Sequence, residues 1–314
     1  MLDRASSGVR GEPRRTPNDL EDGISANGHG PSAVARQFLD GNGPGPEMFE
    51  VGDLADSANA TRHARLLIPV AQPLATVVYF HSGGWLSDSV LDAEPSARRL
   101  AERTACTFAV VGYRARDAQG TTLARAEALH WWNRLAGDDA DLRASSRPAV
   151  VMGFGYGARL CCEISATADA HPLMRRPLLA ILVDPVLRDS GDVADAEDAE
   201  IDAHIRHALR AAEACYGLDE FDFGPNTVPA LVITSDSLAQ PDADAYVSLL
   251  LSSGVAVELR VHQGQMHGFF EAVEIRQGER AFQQVVRTLR SIWSRSERLE
   301  GAAASPLDDL LAHA

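Results

Sequence analysis

The chain has 314 residues, 45% of them hydrophobic, which is enough for one large α/β domain or two small domains. Its formal net charge of -15 argues against nucleic acid or an anionic membrane as a partner, although a local field could still bind a small anion. We find no apolar run of the roughly 18 residues that a membrane span needs. The N-terminus also lacks the apolar core of a signal peptide, so we expect a cytoplasmic protein.

Composition divides the chain into three parts. Residues 1–45 are rich in Gly, Pro, Ser, Arg and Asp, and we expect them to be disordered or associated with a cap. Residues 46–298 form the predicted main domain, in which the polar, irregular insertion at about 187–228 is expected to cover the pocket. The Ala-rich, acidic tail at 299–314 is expected to be flexible.

The main domain alternates short apolar runs with amphipathic segments. Strands are predicted at 64–70, 75–81, 107–113, 148–154, 178–184, 230–236 and 255–262. Helices are predicted at 88–104, 121–136, 156–167, 198–215, 242–253 and 277–296. Short apolar strands separated by helices indicate an α/β fold with a mostly parallel sheet, covered by helices on both faces.

The stretch MGFGYGARL at 152–160 predicts a sharp turn between a strand and a helix. Gly153 and Gly157 supply the small neighbours that such a turn requires, and Gly155 at its tip adopts a strained backbone conformation at little cost. The following helix directs its first N–H groups at the same point. This tip is where a G-x-S-x-G motif has its nucleophile, and here the position is a glycine.

The stretch YFHSGGW at 79–85 predicts an oxyanion hole at the end of another strand. Consecutive glycines let backbone N–H groups point at one oxygen, because no Cβ blocks the approach. We expect Gly83 and Gly84 to be two donors and the N–H of Tyr156 to be the third. The residues predicted to line the substrate pocket are His81, Ser82, Trp85 and Phe154.

An aspartate and a histidine follow two later strands of the predicted sheet. Asp236 ends the strand ALVITSD, and His267 lies in QMHGFF after the next strand. Both are therefore expected at the carboxyl edge of the sheet, where ligand sites of α/β proteins lie. An aspartate there can hold the imidazole Nδ1–H and leave Nε2 as a base.

Five segments in this order, HSGGW, VVGYR, GFGYG, SDSLAQPDADAY and MHGFF, resemble the α/β-hydrolase fold. More narrowly, they resemble the hormone-sensitive-lipase-like esterases, whose usual motifs are HGGGW, GDSAGG, a DPLRDE-type segment and a histidine in HGF. The resemblance covers about residues 62–296. It implies an eight-stranded, mostly parallel sheet with a small helical cap, and an Asp236–His267 pair.

The departures from these motifs concentrate at the turn. Gly155 stands where the family has its nucleophilic serine, Phe154 where it has aspartate and Tyr156 where it has alanine, while Ser82 replaces a glycine. A glycine cannot attack a carbonyl, so no acyl-enzyme can form on residue 155. Tyr156 and Ser82 are less favoured replacement nucleophiles. The changes at Phe154 and Tyr156 favour natural divergence over an introduced substitution at Gly155.

Three hypotheses about function stay open, each with a small molecule that has a carbonyl or ester group as partner. In the first, His267 with Asp236 is the general base of a non-hydrolytic enzyme of secondary metabolism, a lyase or cyclase, as plant isoflavanone dehydratases and alkaloid cyclases of this class are. In the second, His267 activates water in a weak carboxylester hydrolase. The third is a non-catalytic binding protein of the gibberellin-receptor kind, against which the retained histidine argues. A homodimer stays open.

No cofactor or metal is predicted. No G-x-G-x-x-G follows the first strand and no phosphate loop is present. His204 and His207 share a helix face close to Asp202, but this acidic helix is better interpreted as a solvated surface. The cysteines are expected to be reduced and mostly buried thiols, and they are Cys106, Cys161, Cys162 and Cys215.

Overall fold

The computed structural model describes the central part of the chain. The chain divides into two units, Met1–Glu47 and Met48–Ala314, and every described residue belongs to the second. The described residues are 49–56, 59–69, 75–82, 90–113, 118–136, 148–171, 174–187, 221, 223–224, 226–236, 239–270 and 276–299. The predicted N-terminal segment, most of the cap insertion with its helix at 198–215, and the tail after Leu299 lie outside them.

Among these residues, eight strands form one sheet in the order β1-β2-β4-β3-β5-β6-β7-β8. The strands are β1 Phe49–Asp56, β2 Asn59–Pro69, β3 Thr76–Phe80, β4 Thr107–Val111, β5 Ala149–Phe154, β6 Ala180–Val183, β7 Ala230–Ser235 and β8 Val257–His262. Pairs β1/β2 and β2/β4 are antiparallel, and the other five pairs are parallel. The predicted mostly parallel, eight-stranded sheet is confirmed.

Helices cover both faces of the sheet, as predicted. In the described residues they are α1 Val90–Thr104, α2 Ala118–Ala136, α3 Tyr156–Ala170, α4 Gln240–Ser252 and α5 Arg276–Leu299. One core cluster joins α2, α3 and α4 to one face of the sheet, and a second joins α1 and α5 to the opposite face. Each helix bound lies within three residues of its predicted one.

The central strands explain why two helical layers are needed. Every residue of β3 (TVVYF) and of β4 (TFAVV) is buried. Side chains alternate along a strand, so Val78 and Phe80 pack into one cluster while Val77 and Tyr79 pack into the other. A strand that is apolar on both sides is stable only when each face of the sheet is covered.

Strand β1 was not among the strands predicted from apolar runs. Its sequence FEVGDLAD contains three acidic residues and Gly52, which lowers its intrinsic strand preference. Pairing with β2 supplies the missing stabilisation, in register from Phe49 opposite Pro69 onwards. The Arg65 guanidinium of β2 adds a two-pronged contact to the Asp53 carboxylate, at 2.8 and 3.0 Å.

The parallel strands bring their carboxyl ends to one edge of the sheet. The residues that end them are Phe80, Val111, Phe154, Val183, Ser235 and His262. Loops after such ends converge above the sheet, which makes this edge the common place for ligand sites in α/β proteins. Of the residues singled out in the sequence, those that the structure describes lie at this edge.

Candidate active site

The turn between β5 and α3 has the sharp geometry that the sequence predicts. Gly155 at its tip has φ 56° and ψ -119°, a backbone conformation that residues with a Cβ rarely adopt. Its N–H donates to the Val183 carbonyl of β6 at 2.9 Å, and its own carbonyl accepts from the Val186 N–H at 3.1 Å. The tip is therefore fixed to the end of the neighbouring strand.

The two flanking glycines are required by close backbone packing. A Cβ on Gly153 would lie 2.2 Å from the Gly157 carbonyl oxygen, and a Cβ on Gly157 would lie 2.1 Å from the Phe80 carbonyl oxygen. Neither distance is compatible with a side chain. The predicted need for small residues on both sides of the tip is confirmed. Because neither glycine has a side chain, α3 packs directly against the ends of β3 and β5.

Two side chains face the empty side of Gly155. A Cβ on this residue would lie 3.2 Å from Ser82 Cβ and 3.6 Å from His267 Nε2. The histidine therefore stands where it would serve a nucleophile at the tip, although residue 155 has no side chain to serve.

His267 is a buried imidazole beneath the surface of this edge. Its side chain is 5% exposed, and its ring lies 5.3 Å from the ring of Phe154. Burial lowers the pKa of His267 below the ordinary value of 6.5, an effect that the charge of Asp184 partly offsets. At neutral pH the imidazole is uncharged, which is the form that accepts a proton.

The carboxylate beside His267 belongs to Asp184, the residue that follows β6. Its Oδ2 lies 4.0 Å from His267 Nδ1 and accepts the Gly268 N–H at 3.0 Å. Its Oδ1 accepts the N–H and the hydroxyl of Ser235, at 2.7 and 2.8 Å. The bonds from Ser235 tie the fully buried Asp184 carboxylate to the end of the neighbouring strand β7. The 4.0 Å separation exceeds a hydrogen bond, and such bonds are often long before a substrate binds.

The expected Asp236–His267 pair is not what the structure shows. The exposed Asp236 carboxylate accepts the N–H groups of Gly264 and Gln265, at 2.8 and 3.1 Å. The hydrogen bond from Gly264 is the largest contribution that lowers the pKa of Asp236, and the bond from Gln265 adds to it. The loop after β8 turns its backbone, and not the His267 ring, towards this carboxylate. The carboxylate beside the imidazole is thus that of Asp184 and not that of Asp236.

The sequence carries only a partial signal for Asp184. LLAILVD ends an apolar strand with an acid, as ALVITSD does at Asp236, so the pattern puts both aspartates at strand ends without distinguishing them. Asp184 also has a positive φ of 43°, which is uncommon for a residue with a side chain and is often retained at functional sites. The backbone angle itself could not be predicted from sequence.

The structure describes some of the remaining predicted site residues and not others. Gly83, Gly84 and Trp85 lie outside the described residues, so their part in an oxyanion hole stays a prediction. Tyr156 begins α3 next to the tip, where a helix N-terminus directs its N–H groups. His81 is buried and stacks on Tyr113, whose hydroxyl donates to the His81 carbonyl. The stacking and the hydrogen bond from Tyr113 thus hold the chain at His81 in place just after β3.

Other expectations concern metals, thiols and membranes. Within the described residues no group of three His, Cys, Asp or Glu side chains could hold a metal, and His204, His207 and Asp202 lie outside them. Cys106, Cys161 and Cys162 are buried and form no disulfide, whereas Cys215 is not described. Of the helices in the described part, none is long and apolar enough to cross a membrane.

The fold and the tip geometry define the class of protein. The chain belongs to the alpha/beta hydrolase fold family, whose profile matches residues 77–271. The resemblance found in the sequence is confirmed at this level.

Individual relatives carry esterase names. The chain is 24% identical over 209 residues to the ethyl acetate hydrolase of Pseudomonas putida, a match that spans 62% of this chain and 66% of that protein. The structure is similar to a hyperthermophilic esterase from the archaeon Pyrobaculum calidifontis, with 21% identity, coverage of 82% and 92%, and a TM-score of 0.66. Esterase LipW from Mycobacterium marinum is similar at 22% identity, with coverage of 82% and 84% and the same TM-score of 0.66. These structural likenesses show the shared fold.

Proposed function

We propose that the protein is an enzyme in which His267 acts as a general base on a small carbonyl compound, without a covalent intermediate on residue 155. The observation that supports this most is the position of Nε2, 3.6 Å from where a Cβ on Gly155 would stand. An uncharged, buried imidazole is held over a tip that lacks a nucleophile. What remains possible at that point is removal of a proton from a bound molecule.

The reaction that these groups support is an elimination, a dehydration or a cyclisation. His267 Nε2 takes the proton from the carbon next to the carbonyl, and the electron pair moves into an enolate. The enolate then expels a leaving group from the next carbon, or attacks an electrophilic carbon of the same molecule to close a ring. The imidazolium returns its proton to the departing group or to the anion that ring closure leaves. Asp184 stabilises the imidazolium that forms, and the N–H groups of Gly83, Gly84 and Tyr156 are the proposed donors to the enolate oxygen.

A second candidate is carboxylester hydrolysis with water activated directly by His267. The esterase names of the matched relatives favour it. An enzyme whose triad has lost its nucleophile still accelerates the reaction roughly 10³- to 10⁴-fold over water, through its oxyanion hole and binding contacts. Such a rate suits an activated ester.

One experiment separates the two candidates. The full chain is incubated in D₂O with ketones, esters and thioesters that have a leaving group on the β-carbon, and mass spectrometry follows deuterium uptake and product formation. We expect uptake or elimination by the wild type and none by His267→Gln. His262→Gln, which removes another buried imidazole, is the control. Ester cleavage that depends on His267, without uptake or elimination, would establish hydrolysis instead.

A further inference from the structure

Ser82 is a buried hydroxyl in the candidate site with no hydrogen-bond partner among the described residues. It is the second residue after β3, it is 3% exposed, and its Oγ makes no hydrogen bond to any residue that the structure describes. The other buried serines of the described chain differ in this respect. Ser96 donates to the Ala93 carbonyl, Ser165 to the Cys161 carbonyl and Ser235 to the Asp184 carboxylate.

An unpaired buried hydroxyl lowers the stability of the folded chain. Leaving such a group without a partner costs about 1 to 3 kcal/mol, and an alanine of nearly the same volume would avoid this cost. A polar group that is unsatisfied in the protein alone, and that lies at a reactive centre, is explained when a ligand supplies its partner.

Ser82 also borders and narrows the space that a nucleophile on residue 155 would need. A Cβ at 155 would lie 3.2 Å from Ser82 Cβ, which is closer than ordinary contact, and 3.5 Å from Ser82 Cα, which is ordinary contact. The serine at 82 and the glycine at 155 are therefore complementary, because a side chain at one position crowds the other. Both border the same small volume as His267 Nε2.

We propose that the Ser82 hydroxyl donates a hydrogen bond to the carbonyl oxygen of a substrate held above Gly155, in the space that a nucleophilic side chain on residue 155 would fill. The inference rests on the proposed function, because the carbonyl is the one next to which His267 removes a proton. The hydroxyl keeps its proton throughout. Its bond to the oxygen strengthens as negative charge develops there, as side-chain donors do in oxyanion holes.

This placement restricts the substrate class. The bound oxygen must be one that gains charge during the reaction, which a ketone, ester or thioester with a proton on the adjacent carbon provides. Ser82 Oγ and His267 Nε2 are both closed off from solvent in the structure, so the carbonyl reaches them only after a local opening.

The claim that a side chain at residue 82 crowds one at residue 155 is tested by a double-mutant cycle of Gly155→Ser and Ser82→Gly. A fluorophosphonate is the probe, and mass spectrometry gives the rate and site of labelling. We expect Gly155→Ser alone to label slowly and to have a lowered Tm. The double variant should label at residue 155 about tenfold faster or more, with a higher Tm than Gly155→Ser. Gly254→Ser is the control, since Gly254 has a φ of 75° and open space around it.

Two results of this cycle would overturn the proposal. Additive changes in Tm, together with labelling of Gly155→Ser that Ser82→Gly does not accelerate, would mean that Ser82 does not narrow the nucleophile's space. Labelling of wild-type Ser82 would mean that it is a nucleophile and not a donor.

The donor role is tested by binding of p-nitrophenolate, an anionic oxygen on a flat ring, to the wild type and to Ser82→Ala. Loss of a hydrogen bond to a charged oxygen predicts affinity reduced about tenfold or more, while the Tm stays equal or rises. Ser248→Ala, at an exposed helix position, is the control. Unchanged affinity, or a lowered Tm, would assign Ser82 a packing role only.

The two proposals fail separately. If Ser82→Ala weakens phenolate binding but no carbonyl compound exchanges its proton, the general-base function is wrong and the donor assignment stands. If exchange depends on His267 while phenolate binding ignores Ser82, the donor assignment is wrong.

Discussion

Two aspartates at the carboxyl edge of the sheet differ in almost every physical respect. Asp184 is fully buried, and its two oxygens accept bonds from Ser235 and from the Gly268 N–H. Asp236 is exposed and holds a turn through two backbone N–H groups. A charge in a buried, low-dielectric place acts strongly on its neighbour, whereas water screens an exposed one. The orientation of His267 should therefore depend on Asp184.

Asp184→Asn is predicted to lower the rate of the His267-dependent reaction by about 10² to 10⁴. The amide would no longer stabilise the imidazolium, and it could favour the wrong ring tautomer. Asp236→Asn is the matched control and should change the rate less than about threefold, because it alters an exposed turn. The check is initial-rate kinetics on the carbonyl compound with the highest turnover. A larger loss in Asp236→Asn than in Asp184→Asn would refute the assignment.

At the scale of elements, the turn from β5 into α3 fixes the site through backbone packing. The tip conformation, the contact of Gly157 with β3 and the Gly155 N–H bond to β6 place three strand ends and one helix within one tight junction. The stability of this junction should be sensitive to single methyl groups.

Gly157→Ala is predicted to reduce the free energy of unfolding by about 1 to 3 kcal/mol, because the new Cβ would lie 2.1 Å from the Phe80 carbonyl oxygen. Gly52→Ala in β1 adds the same methyl group with nothing within 4 Å. It should be neutral or slightly stabilising. Urea denaturation of both variants measures the difference. Equal values would contradict the close approach of α3 to β3.

The sequence predicts the elements that are apolar in themselves and misses those that depend on a neighbour. The runs of β3 and β5 and the three glycines of the turn are local signals, and the structure agrees with them. Strand β1 forms through its pairing with β2, and the Asp184–His267 contact joins residues from different strands. Which of two aspartates meets the histidine depends on loop geometry that no local pattern contains.

At the scale of the whole molecule, the two core clusters enclose the thiols. Cys161 and Cys162 lie in one cluster and Cys106 in the other. Burial raises the pKa of Cys162 to about 12, so its reactive thiolate is scarce at neutral pH. These thiols become reactive only when the layers of the domain separate.

A thiol reagent such as Ellman's reagent is predicted to leave Cys106, Cys161 and Cys162 unmodified in the native protein. All four cysteines of the chain should react in denaturant. The rate of modification of the three buried thiols should follow global unfolding as urea is raised. Mass mapping of the labelled sites provides the check. Rapid labelling of Cys161 or Cys162 in native buffer would contradict the closed core around α3.

Titration of His267, by NMR of ¹⁵N-histidine-labelled protein in the wild type, Asp184→Asn and Asp236→Asn, tests whether Asp184 holds a neutral base. We predict a wild-type pKa below 6.5, because burial opposes the charged form. The proton of the neutral ring should be on Nδ1, the nitrogen nearest to Asp184. Asp184 raises this pKa, so Asp184→Asn should lower it further, and Asp236→Asn should leave it unchanged. A wild-type pKa above 6.5, or a shift caused by Asp236→Asn alone, would contradict a neutral base held by Asp184.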